Sequence, residues 1–235
     1  NATGSGTILT STDGSTWTSM TTGTTNAFSG ITYGDGTFVA VGEGGIIFTS
    51  SDGTTWTSRT SGTSSFLIGI TQANGTFVAV GSAGTILTSS DGSTWTSRTS
   101  GTTKGLRAIA YGCILPACTR SISTFVTVGE SGTILTSSDG ISWEDRTDTD
   151  VASKKLRGVT YGSSADPIFV AVGRTGTIIT SSNGYGTSWT SRTSGTIKRL
   201  NGITYGNSTF VTVGNSGTIL TSTRSEEHTS ELQSQ

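Results

Sequence analysis

The chain has 235 residues, of which 31% are hydrophobic, 12% are charged and 34 are glycine, with a formal net charge of −1. That near-neutral balance gives no electrostatic footprint for nucleic acid or an anionic membrane surface, and no apolar run is long enough to span a bilayer. Two cysteines and a single histidine leave no ligand cluster for a metal or redox centre, so no cofactor is expected.

Asn1 opens the chain just before a GTILT run at Gly6–Thr10, which is followed by Asp13 and Trp17. From there one unit recurs, in its fullest form GTFVAVGxxGTILTSSDGxTWTSRTSG, and its tryptophans are Trp17, Trp56, Trp95, Trp143 and Trp189. A period near forty residues with several short β-type runs per copy predicts a β-propeller. The fold class expected is therefore all-β, with four-stranded antiparallel blades. The repeats fall near 1–27, 28–66, 67–105, 106–155, 156–199 and 200–223, about five blades' worth within a propeller region of 1–223.

Four strand types alternate along each unit. The first is GITYG-like (Gly30–Gly34, Gly69–Ala73, Ala108–Gly112, Gly158–Gly162 and Gly202–Gly206). Its small, mixed character suits the crowded rim of a central channel. The second is TFVAVG-like, and Phe38-Val39-Ala40-Val41 is apolar on both faces, as a strand held between neighbouring blades must be. The third is GTILTS, starting at Gly6, Gly45, Gly84, Gly132, Gly176 and Gly217. The fourth follows each Trp and alternates Thr, Ser and Arg, as an exposed edge protected against pairing should. Third-type runs outnumber the others by one, so Gly6–Thr10 and Gly217–Thr221 compete for one place. A piece of a larger ring of six to eight blades is the expectation, with self-association through open strand edges the alternative use of the extra strand.

Between the third and fourth strands lies Ser50-Ser51-Asp52-Gly53-Thr54-Thr55-Trp56 and its copies. A short Asp accepts backbone N–H groups in the turn, Gly takes the positive-φ position, and Trp packs between blades. Asp13, Asp52, Asp91 and Asp139 fill this role with Trp17, Trp56, Trp95 and Trp143, and Asn183 precedes Trp189 in the last copy. The element resembles the Asp-box of bacterial neuraminidase-like (BNR) propellers, one residue shorter between Asp and Trp. That resemblance implies a structural turn on the face opposite the usual ligand site. The whole of 1–223 also resembles propellers described as photosystem II stability/assembly factor-like, which implies the fold and leaves the function open.

Individual features stand where copies differ. First-to-second strand spacing is ten in three copies, nineteen from Leu106 to Phe125 and thirteen from Leu156 to Phe169. The longer insertion carries Cys113 and Cys118, either a disulfide closing a loop or two free thiols. The links between later blades turn basic at Lys104 and Arg107, at Lys154, Lys155 and Arg157, and at Lys198 and Arg199. These form a candidate rim at one channel mouth for a carboxylate, a phosphate or an acidic peptide. Turn positions Glu43, Ser82, Glu130, Arg174 and Asn215 share that face and vary as surface turns do.

Catalytic sets are not assembled by these residues. Arg59, Arg98, Arg146 and Arg192 sit in outer strands, Tyr33, Tyr111, Tyr161 and Tyr205 are repeat positions, and Glu43 and Glu130 are the only conceivable carboxylate pair. His228 belongs to Arg224–Gln235, which resembles the translation of a sequencing-library adapter and is expected to be a non-native or disordered tail. Without Arg224, Glu226, Glu227 and Glu231 the balance is 13 basic to 12 acidic residues, a net charge of +1. The expectation is a non-catalytic binding or scaffold propeller with a protein or glycan ligand, extracytoplasmic or secreted, in keeping with N-x-S/T triplets at Asn1, Asn74 and Asn207. Two alternatives stand beside it: a fragment of a sialidase-like or other glycosidase, and a repetitive surface or filament-forming protein.

Overall fold

The structure, a computed structural model, describes residues 6–113, 123–149, 151–163, 167–181 and 184–223. Among the described residues every regular element is a β-strand or a single turn of 3-10 helix. An N-terminal hairpin pairs β1 (Ile8–Thr10) with β2 (Thr18–Met20) as a sheet of its own. Four complete blades follow. The first holds β3 (Phe28–Gly34), β4 (Thr37–Gly42), β5 (Ile47–Ser50) and β6 (Thr57–Arg59). The second holds β7 (Leu67–Ala73), β8 (Thr76–Gly81), β9 (Ile86–Ser89) and β10 (Thr96–Arg98). The third holds β11 (Leu106–Cys113), β12 (Ser123–Gly129), β13 (Ile134–Ser137) and β14 (Glu144–Asp145). The fourth holds β15 (Leu156–Gly162), β16 (Ile168–Gly173), β17 (Ile178–Ser181) and β18 (Trp189–Arg192). The last sheet contains β19 (Leu200–Gly206), β20 (Thr209–Gly214) and β21 (Ile219–Thr223). Each sheet is antiparallel in chain order, and the first strands of successive sheets lie against one another. The fold is a β-propeller. The two competing third-type strands, β1 and β21, occupy separate sheets.

The apolar core lies between blades. Val39, Val41 and Ile47 of the first blade pack with Leu67, Phe77, Ala79 and Leu87 of the second, all essentially inaccessible. Val78, Val80 and Ile86 meet Leu106, Phe125 and Leu135 in the same way. The F-V-A-V run thus sends Phe and Ala toward the preceding blade and both Val toward the next. This is the period-2 alternation of a strand with an apolar layer on each side.

Two turns set each blade's geometry. The first and second strands join through two residues at positive φ, as in Asp35-Gly36 (47° and 75°), Asn74-Gly75 (50° and 67°) and Asn207-Ser208 (48° and 56°). These are the left-handed turns whose twist matches a hairpin. The second and third strands join through a 3-10 turn whose middle residue is also left-handed: Gly44, Ala83, Ser131, Thr175 and Ser216. The glycine that follows takes positive φ too, and at Gly84 a Cβ would run into the Thr102 carbonyl oxygen. Nothing lies near Gly217.

Thr175 is the one β-branched residue among those middle positions, at φ 53°. Thr175→Gly is expected to raise the unfolding free energy by about 1 kcal/mol, because glycine carries no left-handed penalty. Gly84→Ala is expected to cost more than about 2 kcal/mol through the backbone clash. Gly217→Ala should cost about 1 kcal/mol from conformation alone. Thermal melts of the three variants rank them, and Gly217→Ala melting as low as Gly84→Ala would remove the clash from the account.

Candidate functional site

The SSDGxTW turns form a hydrogen-bonded knot. Asp52 Oδ1 accepts the backbone N–H groups of Thr54 and Thr55 at 2.8 and 2.9 Å, and Ser50 Oγ donates to the same oxygen at 2.9 Å. Gly53 N–H donates to Ser50 Oγ, and Trp56 Nε1 donates to the Gly53 carbonyl at 3.1 Å. Asp13, Asp91 and Asp139 repeat the arrangement. Backbone N–H donation, led by the residue three positions on, lowers Asp13 and Asp91 to about 2 and Asp52 further. At Asp139 burial works in the opposite direction, and the hydrogen bonds still leave its carboxyl below the ordinary value. Each carboxylate is committed to its own turn. Asn183 lies outside the described residues.

The tryptophans pack less uniformly than their repetition suggests. Trp189 is 6% exposed and Trp56, Trp95 and Trp143 are half-buried, but Trp17 is 58% exposed. Trp17 departs from the expectation of packing between blades because its hairpin stands in a two-stranded sheet with no first and second strands beside it. Arg59, Arg98 and Arg192 are tied by Nε to Thr49, Thr88 and Thr180 of the neighbouring third strand at 2.8 to 2.9 Å. They brace the outer edge, as their sequence positions imply. Cys113 ends β11, and Cys118 lies outside the described residues.

The basic rim has a structure that the sequence does not spell out. Each first strand opens with a bulge: Leu106 pairs with Gly129 and Ala108 with Val128, so Arg107 is the extra residue. Arg157 is the extra residue in β15, and Ser29, Ile68 and Asn201 hold the equivalent places. A bulge re-aims the side chain it carries. Here it sets two arginines at one end of the innermost strands, beside the 3-10 turn of their own blade. In the third blade that turn supplies Glu130, whose Oε1 lies 2.7 Å from Arg107 Nη2 and 3.6 Å from Lys155 Nζ. The hydrogen bond from Arg107 is the main reason the Glu130 carboxyl is held below its ordinary value. In the last sheet Asn215 Oδ1 accepts from Arg199 Nε at 3.3 Å and from Asn201 Nδ2 at 2.9 Å.

In the fourth blade the same turn position is Arg174, so both the bulge and the turn carry an arginine. Burial first, and then the charges of Arg199, Arg107 and Arg174, push the Arg157 guanidinium below its ordinary value, with Glu130 acting the other way. Among the described residues, the Nε atoms of Arg157 and Arg107 are buried without a hydrogen-bond partner. Such donors are costly to leave unpaired. The structure therefore brings Arg107, Arg157 and Arg199 together, leaves Lys104 and Lys198 exposed and Lys154 half-buried at the links, and adds Lys155 and Arg174. Arg174 is an exposed turn residue, as the sequence reading has it, and its charge nonetheless acts on Arg157. The signal was a pairing between the turn residue and the bulge residue of one blade, visible only once the register was known. Among the described residues no group of three or more His, Cys, Asp or Glu converges to hold a metal ion.

No protein-family profile matches the chain, and no curated protein matches it by sequence. Solved structures do. One is "YCF48 bound to D1 peptide", at a TM-score of 0.69 and 18% identity over 95% of this chain and 73% of that one. YCF48 from Cyanidioschyzon merolae is similar at 0.65 and 18% over 93% and 77%. The computationally designed Ika8 protein is similar at 0.60 and 15% over 83% and 57%. At these identities the likeness is one of fold, and it agrees with the blades described above.

The SSDGxTW knots predict an acid limb of stability. A carboxyl lowered to about 2 in the fold contributes fully above about pH 4, and that contribution disappears as pH falls through about 2. Tryptophan fluorescence across urea gradients at stepped pH should show this loss. Asp91→Asn, which keeps an Oδ1 acceptor without the charge, should flatten the limb and lower stability at neutral pH. An unchanged acid limb would separate the knot from acid unfolding.

Proposed function

We propose that this chain is a non-catalytic binding propeller that takes an acidic peptide segment of a protein partner at the Arg157 rim. One observation carries the reading: Arg157 stands among Arg107, Arg174 and Arg199 with a buried Nε that has no partner among the described residues. Like charges so close together are unfavourable until an oxyanion joins them, and a guanidinium fork suits a carboxylate bidentately. The same fold in a YCF48 structure determined with a D1 peptide supports a peptide in place of a glycan as the ligand. The SSDGxTW turns serve on this reading as Asp-box-like structural knots, their carboxylates spent on backbone N–H groups. The reading includes a working compartment outside the cytoplasm, supported by the exposed Asn207 of the Asn207-Ser208-Thr209 triplet at a hairpin turn.

The test is fluorescence anisotropy with a labelled hexaglutamate peptide at two salt concentrations. Arg157→Ala should weaken binding at least about tenfold. Lys104→Ala, which removes an exposed charge at the rim, should change it less than about twofold. Binding should fall as salt rises. Wild-type and Arg157→Ala proteins binding equally would overturn the reading.

A further inference from the structure

We propose that the fourth blade carries a vacated copy of an ion-pair site that the third blade keeps filled, and that a side-chain carboxylate of the partner completes it between Arg157 and Arg199. Arg174 is what vacates it, standing where the third blade has Glu130. This rests on the peptide-binding reading of the Arg157 rim and specifies the contact made there.

The filled site has three parts: the bulge residue of a first strand, the residue that opens the 3-10 turn of the same blade, and the link residue just before the next first strand. In the third blade these are Arg107, Glu130 and Lys155. Glu130 Oε1 lies 2.7 Å from Arg107 Nη2 and 3.6 Å from Lys155 Nζ. One carboxylate is thus held between cations of two adjacent blades, and the guanidinium bond is of the strong, charge-assisted kind.

The fourth blade repeats the frame and changes the charge. Its equivalent residues are Arg157, Arg174 and Arg199. Leu156 pairs with Gly173 as Leu106 does with Gly129, so the bulges fall at the same place. Glu130 N–H donates to the Gly105 carbonyl at 2.8 Å, and Arg174 N–H to the Lys155 carbonyl at 2.9 Å. Gly129 and Gly173 enter the turns at φ −162° and −163°, and Ser131 and Thr175 follow at 54° and 53°. A glutamate in place of Arg174 would therefore start from the same backbone that brings Glu130 to Arg107.

Where the turn residue can accept, it is spent on its own bulge residue: Glu130 on Arg107 in the third blade, and Asn215 on Asn201 at 2.9 Å in the last sheet. Arginine offers donors and no acceptor. With arginine at both places of the fourth blade, the acceptor has to come from outside. Among the described residues Arg157 Nε is buried without a partner, and the charges of Arg199, Arg107 and Arg174 all act on its guanidinium. Arg199 takes Asn215 Oδ1 through Nε and Nη2, and a guanidinium has further N–H groups beyond those two. The third blade shows what fits such a place, a carboxylate on a flexible side chain.

Fluorescence anisotropy with N-terminally labelled hexaglutamate amidated at its C-terminus tests this, since every carboxylate then offered is a side chain. Arg174→Glu should bind at least about tenfold more weakly than wild type, because the blade fills its own site. Without peptide the same variant should melt about 2 °C or more above wild type. It should fold, since Glu43 and Glu130 already open equivalent turns. Lys104→Glu makes the same change of charge at an exposed link residue. It should weaken binding less than about threefold, with no gain in melting temperature. Binding of hexaglutamate with a free C-terminus but not of the amide would overturn this inference and spare the peptide-binding reading. Arg157-dependent binding that survives Arg174→Glu, or an Arg174→Glu protein that melts no higher than wild type, would do the same. Failure of wild type to bind either peptide would overturn both.

Discussion

Everything in this fold depends on a strand that is apolar on both faces being held between two neighbours. Val39 and Val41 reach forward to Leu67, Phe77 and Ala79 of the next blade, and Val78 and Val80 reach on to Leu106 and Phe125. A four-stranded sheet alone would leave both of these layers in water, at a cost of about 1.5–3 kcal/mol for each large side chain. No blade is therefore stable by itself, and stability arises pairwise along the arc as in other repeat proteins. The same rule explains the exposure of Val213 and Ile219 in the last sheet, whose forward layer meets no blade among the described residues.

With the interior committed to blade stacking, chemical individuality is pushed to the strand ends. The SSDGxTW turns occupy one end and spend their carboxylates on their own backbone. At the other end lie the bulge of each first strand and the 3-10 turn of the same blade, whose side chains meet as Arg107–Glu130 in the third blade and Asn201–Asn215 in the last sheet. Five blades fill this pair of positions differently. Serine stands with glutamate, isoleucine with serine, arginine with glutamate, arginine with arginine, and asparagine with asparagine. Only the fourth blade sets like charges together, and there the neighbouring Glu130 is already engaged by Arg107 and Lys155. The strands between these positions repeat from blade to blade while the bulge and turn residues change.

Much of this was legible in the chain. The repeat predicted the blades and strand order, the F-V-A-V run predicted burial on both faces, and the Asp and Gly of each SSDG turn predicted the knot. Arg107, Arg157 and Arg199 were visible as basic links. Arg174 was not, because turn and bulge are separated along the chain by a whole strand pair, and only the register joins them. Trp17 was misjudged because its sequence neighbourhood is that of the other tryptophans, and its burial depends on strands outside that neighbourhood.

The amino-acid sequence by itself determined the local geometry: alternation along the strands, the left-handed hairpin turns, the glycines of the 3-10 turns and the hydrogen-bonded aspartates. These rest on interactions between residues a few positions apart, which composition and spacing specify directly. The tertiary structure alone decided which charges meet, which bulge residues are left with unpaired buried donors among the described residues, and which repeat-equivalent side chains remain in solvent. Those outcomes depend on contacts between blades and on a one-residue shift of register, and a repeating sequence is the same on either side of both.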